Sequence, residues 1–291
     1  MGHMNVRVYL EKQMEGLAAF AVNLNMAHAF RKDSPSTIIP VDQHIRFIRE
    51  VLPGRPLSMK GCLLETGETD ALVYQELRHS DGALAAAMRT RVAHVDATAR
   101  EPFAWSSRTR EAFSEYMDTA PEESAPRSVD LSHPGLPVEE ITLERVKSCG
   151  APMIGRGAVP TQHLDVHGRM YPYWMIGRTS DSVPNLLFNW RKRVAESAGD
   201  RRMGAAVLEY RIRYHAMPMA GDLYEIYSSF GGASGKTHAL IHWMMNPATG
   251  TPWATMQATA ITLDLDARKA IPAPPEMVEE LTDIAPPGLA V

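Results

Sequence analysis

The feature that most limits what this chain can fold into is an internal repeat. Gly2-His3-Met4-Asn5 opens one long helical pattern, and Gly168, 166 residues later, lies in Asp165-Val166-His167-Gly168-Arg169-Met170-Tyr171 ahead of a second. Leu57 pairs with Leu223 at the same interval. Beyond the turn at residues 66–69 the interval becomes 168, matching Ala71-Leu72-Val73-Tyr74 with Ala239-Leu240-Ile241-His242, Asp81-Gly82 with Thr249-Gly250, and Asp96 with Asp264. An ordered series of this kind is the signature of duplication. Each copy reads as one long helix followed by antiparallel strands, without the repeated crossover helices of a Rossmann fold. The expected class is α+β, twice over.

The local patterns support that reading. Met4, Val8, Leu10, Met14, Leu17, Ala21 and Leu24 recur at helical spacing, which predicts a helix over 5–27 capped by Asn5. From residue 38 the period becomes alternating, and turns at 53–56, 66–70 and 79–82 separate strands at 57–64, 71–78 and 83–95. A short helix is expected at 105–117, then a surface excursion dense in proline, serine and acidic residues at 118–137. A strand over 153–164 leads to a helix over 173–194, kinked or split at Pro184, and to strands at 205–214, 222–230, 238–245 and 252–264. The domains expected are an N-terminal unit over 1–100 with its first strand missing, a linker with a short helix over 101–150, a C-terminal unit over 151–266 and a Pro-rich tail over 267–291.

Composition restricts the partners. Thirty Lys and Arg against 34 Asp and Glu give a net charge of -4 with no long basic run, so nucleic acid is not expected as a partner. The two cysteines, Cys62 and Cys149, form neither a zinc cluster nor a disulfide framework and point to a reducing compartment. Without a leader pattern or an apolar run of about eighteen residues, the expected location is cytoplasmic, with no membrane insertion. No metal is expected, since His238 and His242 are too far apart along a strand for simple joint ligation. Gly231-Gly232-Ala233-Ser234-Gly235-Lys236-Thr237 imitates a phosphate-binding loop, but Phe230 stands where its first glycine belongs, and a hairpin is the better reading. Lys236, the run 191–193 and Arg201-Arg202 read as solvated surface.

The two glycine turns resemble the turn leading into the central helix of the hotdog superfamily, specifically tandem hotdog thioesterases acting on acyl-CoA or acyl carrier protein. In that family the turn reads Asp-x-x-Gly-His-x-Asn or Asp-x-x-Gly-x-x-Tyr, and its aspartate is typically catalytic. Asp165 to Tyr171 follows the second form; Gly2 to Asn5, with Tyr9 beyond, follows the first, its aspartate falling before Met1. The second copy carries Arg169 and Tyr171 where the first carries His3 and Asn5. The resemblance spans nearly the whole chain outside linker and tail. It implies two hotdog units, each an antiparallel sheet wrapped around one long central helix, and hydrolysis of an acyl thioester on coenzyme A or acyl carrier protein without a cofactor. It leaves room for a homodimer of double-hotdog chains.

Thioester cleavage needs a base or nucleophile on one side of the carbonyl and fixed N–H donors on the other. Asp165 is the expected base or nucleophile, and the N–H groups around Gly168 to Met170 the expected donors, with Gly168 allowing close approach. His167 would assist proton transfer and Tyr171 would aim a hydroxyl at substrate. Arg169, Trp174, His3 and Asn5 are the candidate substrate contacts, with Tyr173 and Trp190 considered alongside Trp174 for an acyl tunnel. Each has a plainer alternative: a turn carboxylate, an exposed turn histidine, an N-cap, an aromatic core stripe. Two other activities fit the same fold, acyl-thioester dehydration or hydration, and non-catalytic acyl binding.

Overall fold

The computed structural model of the chain describes residues 2–198, 202–273 and 275–283. The first helix, α1 (Val6–Asn23), begins where Asn5 leaves extended backbone and its side chain accepts the Arg7 N–H. Four strands follow it, β1 (Ser36–Phe47), β2 (Leu57–Thr66), β3 (Asp70–His79) and β4 (Leu84–Asp96). The linker holds α2 (Ser107–Tyr116), capped by Ser106, and α3 (Leu143–Ser148), capped by Thr142. The second unit comprises β5 (Met153–Ala158), α4 (Pro172–Ala198), β6 (Met203–Tyr214), β7 (Leu223–Ser234), β8 (Thr237–Met245) and β9 (Pro252–Asp264). A short β10 (Lys269–Ile271) and α5 (Pro275–Asp283) complete the described chain.

The strands form one sheet in the order β2-β3-β4-β1-β6-β9-β8-β7-β5, with β10 on the end of β9. The units join edge to edge, β1 running antiparallel to β6 from Asp42↔Arg213 to Arg46↔Glu209. A central edge that would otherwise present unpaired backbone groups is thereby closed. On the same face α1 and α4 lie against each other. Contact is close because Gly177 has no side chain: a Cβ there would meet Arg7 Cδ at 2.7 Å.

Duplication is visible in matching details. Both units enter their helix through a glycine with positive φ, 72° at Gly2 and 75° at Gly168. Both end their last long strand on an aspartate that caps a turn, Asp96 receiving the N–H groups of Thr98 and Ala99, and Asp264 those of Asp266 and Ala267. Arg100 and Arg268 follow in the left-handed region. One correspondence is displaced. Val73 packs with Leu17 and Phe20 of α1, whereas Ile241 packs outward with Ile141 and Val146, and its neighbour Leu240 faces α4. Successive strand residues face opposite sides, so the pairing of β3 with β8 at 168 is one residue out of step.

Two other expectations are corrected. The strand expected over 153–164 ends at Ala158, and a single 3-10 turn at Thr161–His163 follows Pro160, which has no N–H for a ladder. His163 lies in that turn and Asp165 beyond it, so neither stands on the strand. The helix is not split at Pro184, since α4 runs through it to Ala198.

The linker covers the outer face of the sheet. Its Ile141 and Val146 pack on Trp243 and Met245, and Arg89 donates to the Ser124 carbonyl. Glu209 accepts the N–H groups of Arg127 and Ser128 and pairs with buried His44 at 2.7 Å. Buried charge at the seam between units is thus partnered from both sides, as low-dielectric surroundings demand. No helix among the described residues is long and apolar enough to cross a membrane.

Candidate active site

Each helix-entry turn meets an arginine from the other unit, which makes two candidate sites. In the second turn Asp165 Oδ1 accepts the backbone N–H groups of His167 (2.8 Å) and Arg169 (2.9 Å), while Oδ2 lies 3.4 Å from Arg100 Nη2. Burial works against the Arg100 charge and the Asp165 carboxylate opposes that effect. The adjoining cleft, of about 50 Å³, is lined by Asp165, His167, Tyr171, Arg100, Ile38 and Met217 among others. Burial, with the Asp165 charge, raises the Tyr171 hydroxyl pKa.

The N–H donors expected in this turn are already engaged. Gly168 donates to the Asp165 carbonyl, Arg169 to the Asp165 side chain, Met170 to the Pro218 carbonyl and Tyr171 to the His163 carbonyl. α4 starts only at Pro172, so these groups belong to a closed turn and a bridge to residues 218–219, not to a helix end. In this structure they satisfy the turn itself, with no N–H of residues 168–171 left without a partner.

The first turn is more open. His3, Met4, Asn5 and Val6 line a cavity of about 680 Å³ that runs between α1, α4 and the inner face of β6, β8 and β9. Its walls are largely apolar, including Tyr9, Phe47, Val183, Leu187, Leu240 and Ala260. Polar groups gather at the mouth. His3 Nδ1 is 3.1 Å from Glu50 Oε1, and Arg268 Nη1 is 2.9 Å from the same oxygen. Asn5 Oδ1 holds the Arg7 N–H at 2.9 Å, leaving its NH₂ end for another acceptor. The N–H groups of Asn5 and Val6 donate to no group among the described residues, and they stand where the helix dipole favours negative charge. Burial, opposed by the Val51 backbone, pushes the Tyr9 hydroxyl up to about 12.

A chain-long duplication with this sheet order, and a helix-entry turn at each site, restricts the family sharply. A sequence profile of the thioesterase-like superfamily matches residues 1–113 and 159–281. The chain belongs to the thioesterase-like superfamily. No curated protein sequence matches it. Among solved structures it is similar to an acyl-ACP thioesterase from Bacteroides thetaiotaomicron VPI-5482, at 10% identity and a TM-score of 0.61, covering 90% of each chain. It is also similar to the 12:0-ACP thioesterase from Umbellularia californica, at 10% identity and a TM-score of 0.64, covering 90% of this chain and 88% of that one. At such identity these likenesses establish the fold, a tandem hotdog of two α+β units. Superfamily membership sets acyl-thioester hydrolysis as the general activity of this thioesterase-like chain.

The remaining candidates separate. His3 and Asn5 do line the large cavity, and Asp165, His167 and Tyr171 line the small cleft. Trp174 lines neither. It stacks on His163 at 3.7 Å with the Arg7 guanidinium 4.4 Å from its ring, a clamp between the two helices. Tyr173 stacks on Tyr171 and lines neither space. Arg169 likewise lines neither space; its side chain reaches the Met217 carbonyl. The side chains of Trp190, Arg191 and Arg193, and all of Arg201, lie outside the described residues, while Arg202 pairs with Asp266. Cys62 and Cys149 are free and half-buried, and no cluster of metal-binding side chains occurs among the described residues. Glu50, Arg268 and Arg100 escaped the sequence reading because each follows a strand in a loop, where no periodicity marks it.

Proposed function

We propose that this chain hydrolyses a fatty acyl thioester with its acyl group in the large cavity and its carbonyl at the first turn. The observation that carries the reading is the cavity itself, whose apolar walls end at a mouth holding His3, Glu50 and an open helix start. Its volume lies within the usual range of about 300–1,000 Å³ for small-molecule sites. In this arrangement Glu50 orients the His3 ring, and the free ring nitrogen takes a proton from water as the water oxygen bonds to the thioester carbon. Negative charge on the carbonyl oxygen is received by the N–H groups of Asn5 and Val6. The C–S bond then breaks and the proton passes to the departing thiolate, giving acid and thiol.

A second reading keeps Asp165 as general base or nucleophile. It is favoured by the place of that carboxylate in the family turn and by the approach of Arg100 from the other unit. The solved acyl-ACP thioesterases of similar fold support a carrier-protein or coenzyme A thioester for either reading.

Thiol release from a panel of acyl-CoA and acyl-carrier-protein substrates, repeated with Glu50→Gln and Asp165→Asn, distinguishes the sites. A loss of about a hundredfold or more in E50Q, with D165N within a few-fold of the parent, supports the first turn. The reverse pattern assigns the chemistry to Asp165, and thiol release from no substrate removes hydrolysis altogether.

A further inference from the structure

The inner faces of the two units treat their buried polar side chains differently. In the first unit they satisfy one another. Gln13 of α1 donates to Gln75 at 2.7 Å, Gln43 donates to Gln13 at 3.0 Å and to Thr90 at 3.2 Å, and the Tyr214 hydroxyl donates to Gln43 at 2.8 Å. The amide cluster fills the space between α1 and the sheet with closed hydrogen bonds.

In the second unit the position on β6 equivalent to Gln43 is Tyr210, 167 residues on. α4 offers it no partner, because the residue 166 beyond Gln13 is Thr179, whose hydroxyl donates back to the Met175 carbonyl at 3.0 Å. Tyr210 is 2% exposed and its hydroxyl makes no hydrogen bond among the described residues, yet it is not one of the fully buried unpartnered polar atoms, because it opens on the cavity. Its ring lies 6.2 Å from that of His242, whose Nδ1 is 2.6 Å from Ser228 Oγ and whose buried Nε2 has no partner among the described residues. Tyr210 nevertheless forms part of the cavity wall, among Val207, Leu240, Ala260 and Leu187. Water in the cavity serves that hydroxyl, but a wholly apolar acyl chain would displace the water and leave the hydroxyl unpaired, at a desolvation cost that a phenylalanine would not carry.

We infer that the acyl group taken by this cavity bears a hydrogen-bonding oxygen beyond its thioester carbonyl, and that the Tyr210 hydroxyl binds it. The substrate class is thus a hydroxylated or oxo-acyl thioester, not an unadorned saturated one. The inference rests on the proposed placement of the acyl group in the large cavity. An apolar site with one inward polar group fixes ligand orientation through that group, and a substrate lacking the matching atom leaves it unpaired.

The test compares kcat/KM for decanoyl-CoA with a set of hydroxydecanoyl-CoA thioesters differing in hydroxyl position, in the parent protein and in Tyr210→Phe. At least one hydroxylated substrate should exceed decanoyl-CoA by about tenfold, and Y210F should bring that ratio to about one while melting at no lower temperature. A parent that favours no hydroxylated substrate, or a preference unchanged in Y210F, overturns the inference. Ala260→Phe and Ala206→Leu, checked for folding by their melting, fill the same cavity from two walls. If both reduce hydrolysis of every substrate while the Y210F ratio does not move, the acyl placement stands and only the role of Tyr210 falls. Unchanged rates in both folded variants remove the placement and the inference with it.

Discussion

Arg268 Nη1 stands 2.9 Å from Glu50 Oε1, so the turn that ends the long strand β9 of the second unit clasps the loop after β1 of the first. The two residues are 218 positions apart in sequence. If the pair works as a unit with His3, E50Q and Arg268→Ala should be strongly non-additive in kcat/KM. Both partners are substantially exposed, so denaturation should show a stability change below about 1 kcal/mol for R268A. Additive kinetic losses in the double variant would separate Arg268 from the chemistry.

Asp165 has structural work whichever turn reacts. Its Oδ1 holds two backbone N–H groups and its Oδ2 faces the half-buried Arg100. Asp165→Ala should lower stability by about 1–3 kcal/mol, since it removes these acceptors together. D165N keeps an oxygen for the N–H groups and should lose less. Urea titration of both variants checks the order.

Gly168 adopts φ 75°, and a Cβ added there would meet nothing within 4 Å. The cost of Gly168→Ala is therefore backbone strain without a clash, about 1–2 kcal/mol. Gly177→Ala differs, because its Cβ would collide with the Arg7 side chain. Thermal melting should show both losses, and only the second should alter the tryptophan fluorescence reporting the Arg7–Trp174 contact.

Arg211, on the outward side of β6, is 5% exposed and donates to Asp42 and to the carbonyls of Asp130 and His133. Arg211→Ala leaves Asp42 and the linker carbonyls without their donor. A loss of about 3 kcal/mol is expected, with faster proteolysis around residues 126–135. Limited digestion followed by mass analysis would show whether cleavage moves to that segment.

Acid stability should be governed in part by His242. Burial holds its imidazole down to about 3, against an ordinary value of 6.5, so between these values the unfolded chain binds more protons than the folded one. Its contribution is complete above about pH 6.5 and diminishes as pH falls, at up to about 1.4 kcal/mol per pH unit. For Glu209 burial raises the pKa, but hydrogen bonds from His44, Arg127 and Ser128 outweigh burial and hold it below the ordinary value, which gives a loss of the same sign. Denaturation across pH 4–8 should show a flatter acid limb in His242→Gln; an unchanged slope would assign the limb to other groups.

Much of the architecture was legible because it rests on local chemistry. Apolar spacing marked α1, alternation marked the strands, and positive-φ glycines such as Gly82 and Gly250 marked their turns. Matching turns and intervals then revealed the duplication. Where one residue changes the side chain's face, as between Val73 and Ile241, composition alone could not fix the register. The strand after residue 153 was overextended because alternation continues past Pro160 while backbone pairing does not.

The site was less legible, for a physical reason. Residue order determined that two helix-plus-meander units would form, that each would carry a glycine turn, and that Asp165 and His3 would stand at those turns. It could not determine which turn would close on its own N–H groups or which would open on a cavity. That choice depends on where the edge-to-edge sheet and the crossing of α1 with α4 leave space, and on loops that bring Arg100 to Asp165 and Arg268 to Glu50. Hydrophobic periodicity specifies the face a residue takes within its own element; only packing between elements specifies the charge or empty volume it meets there.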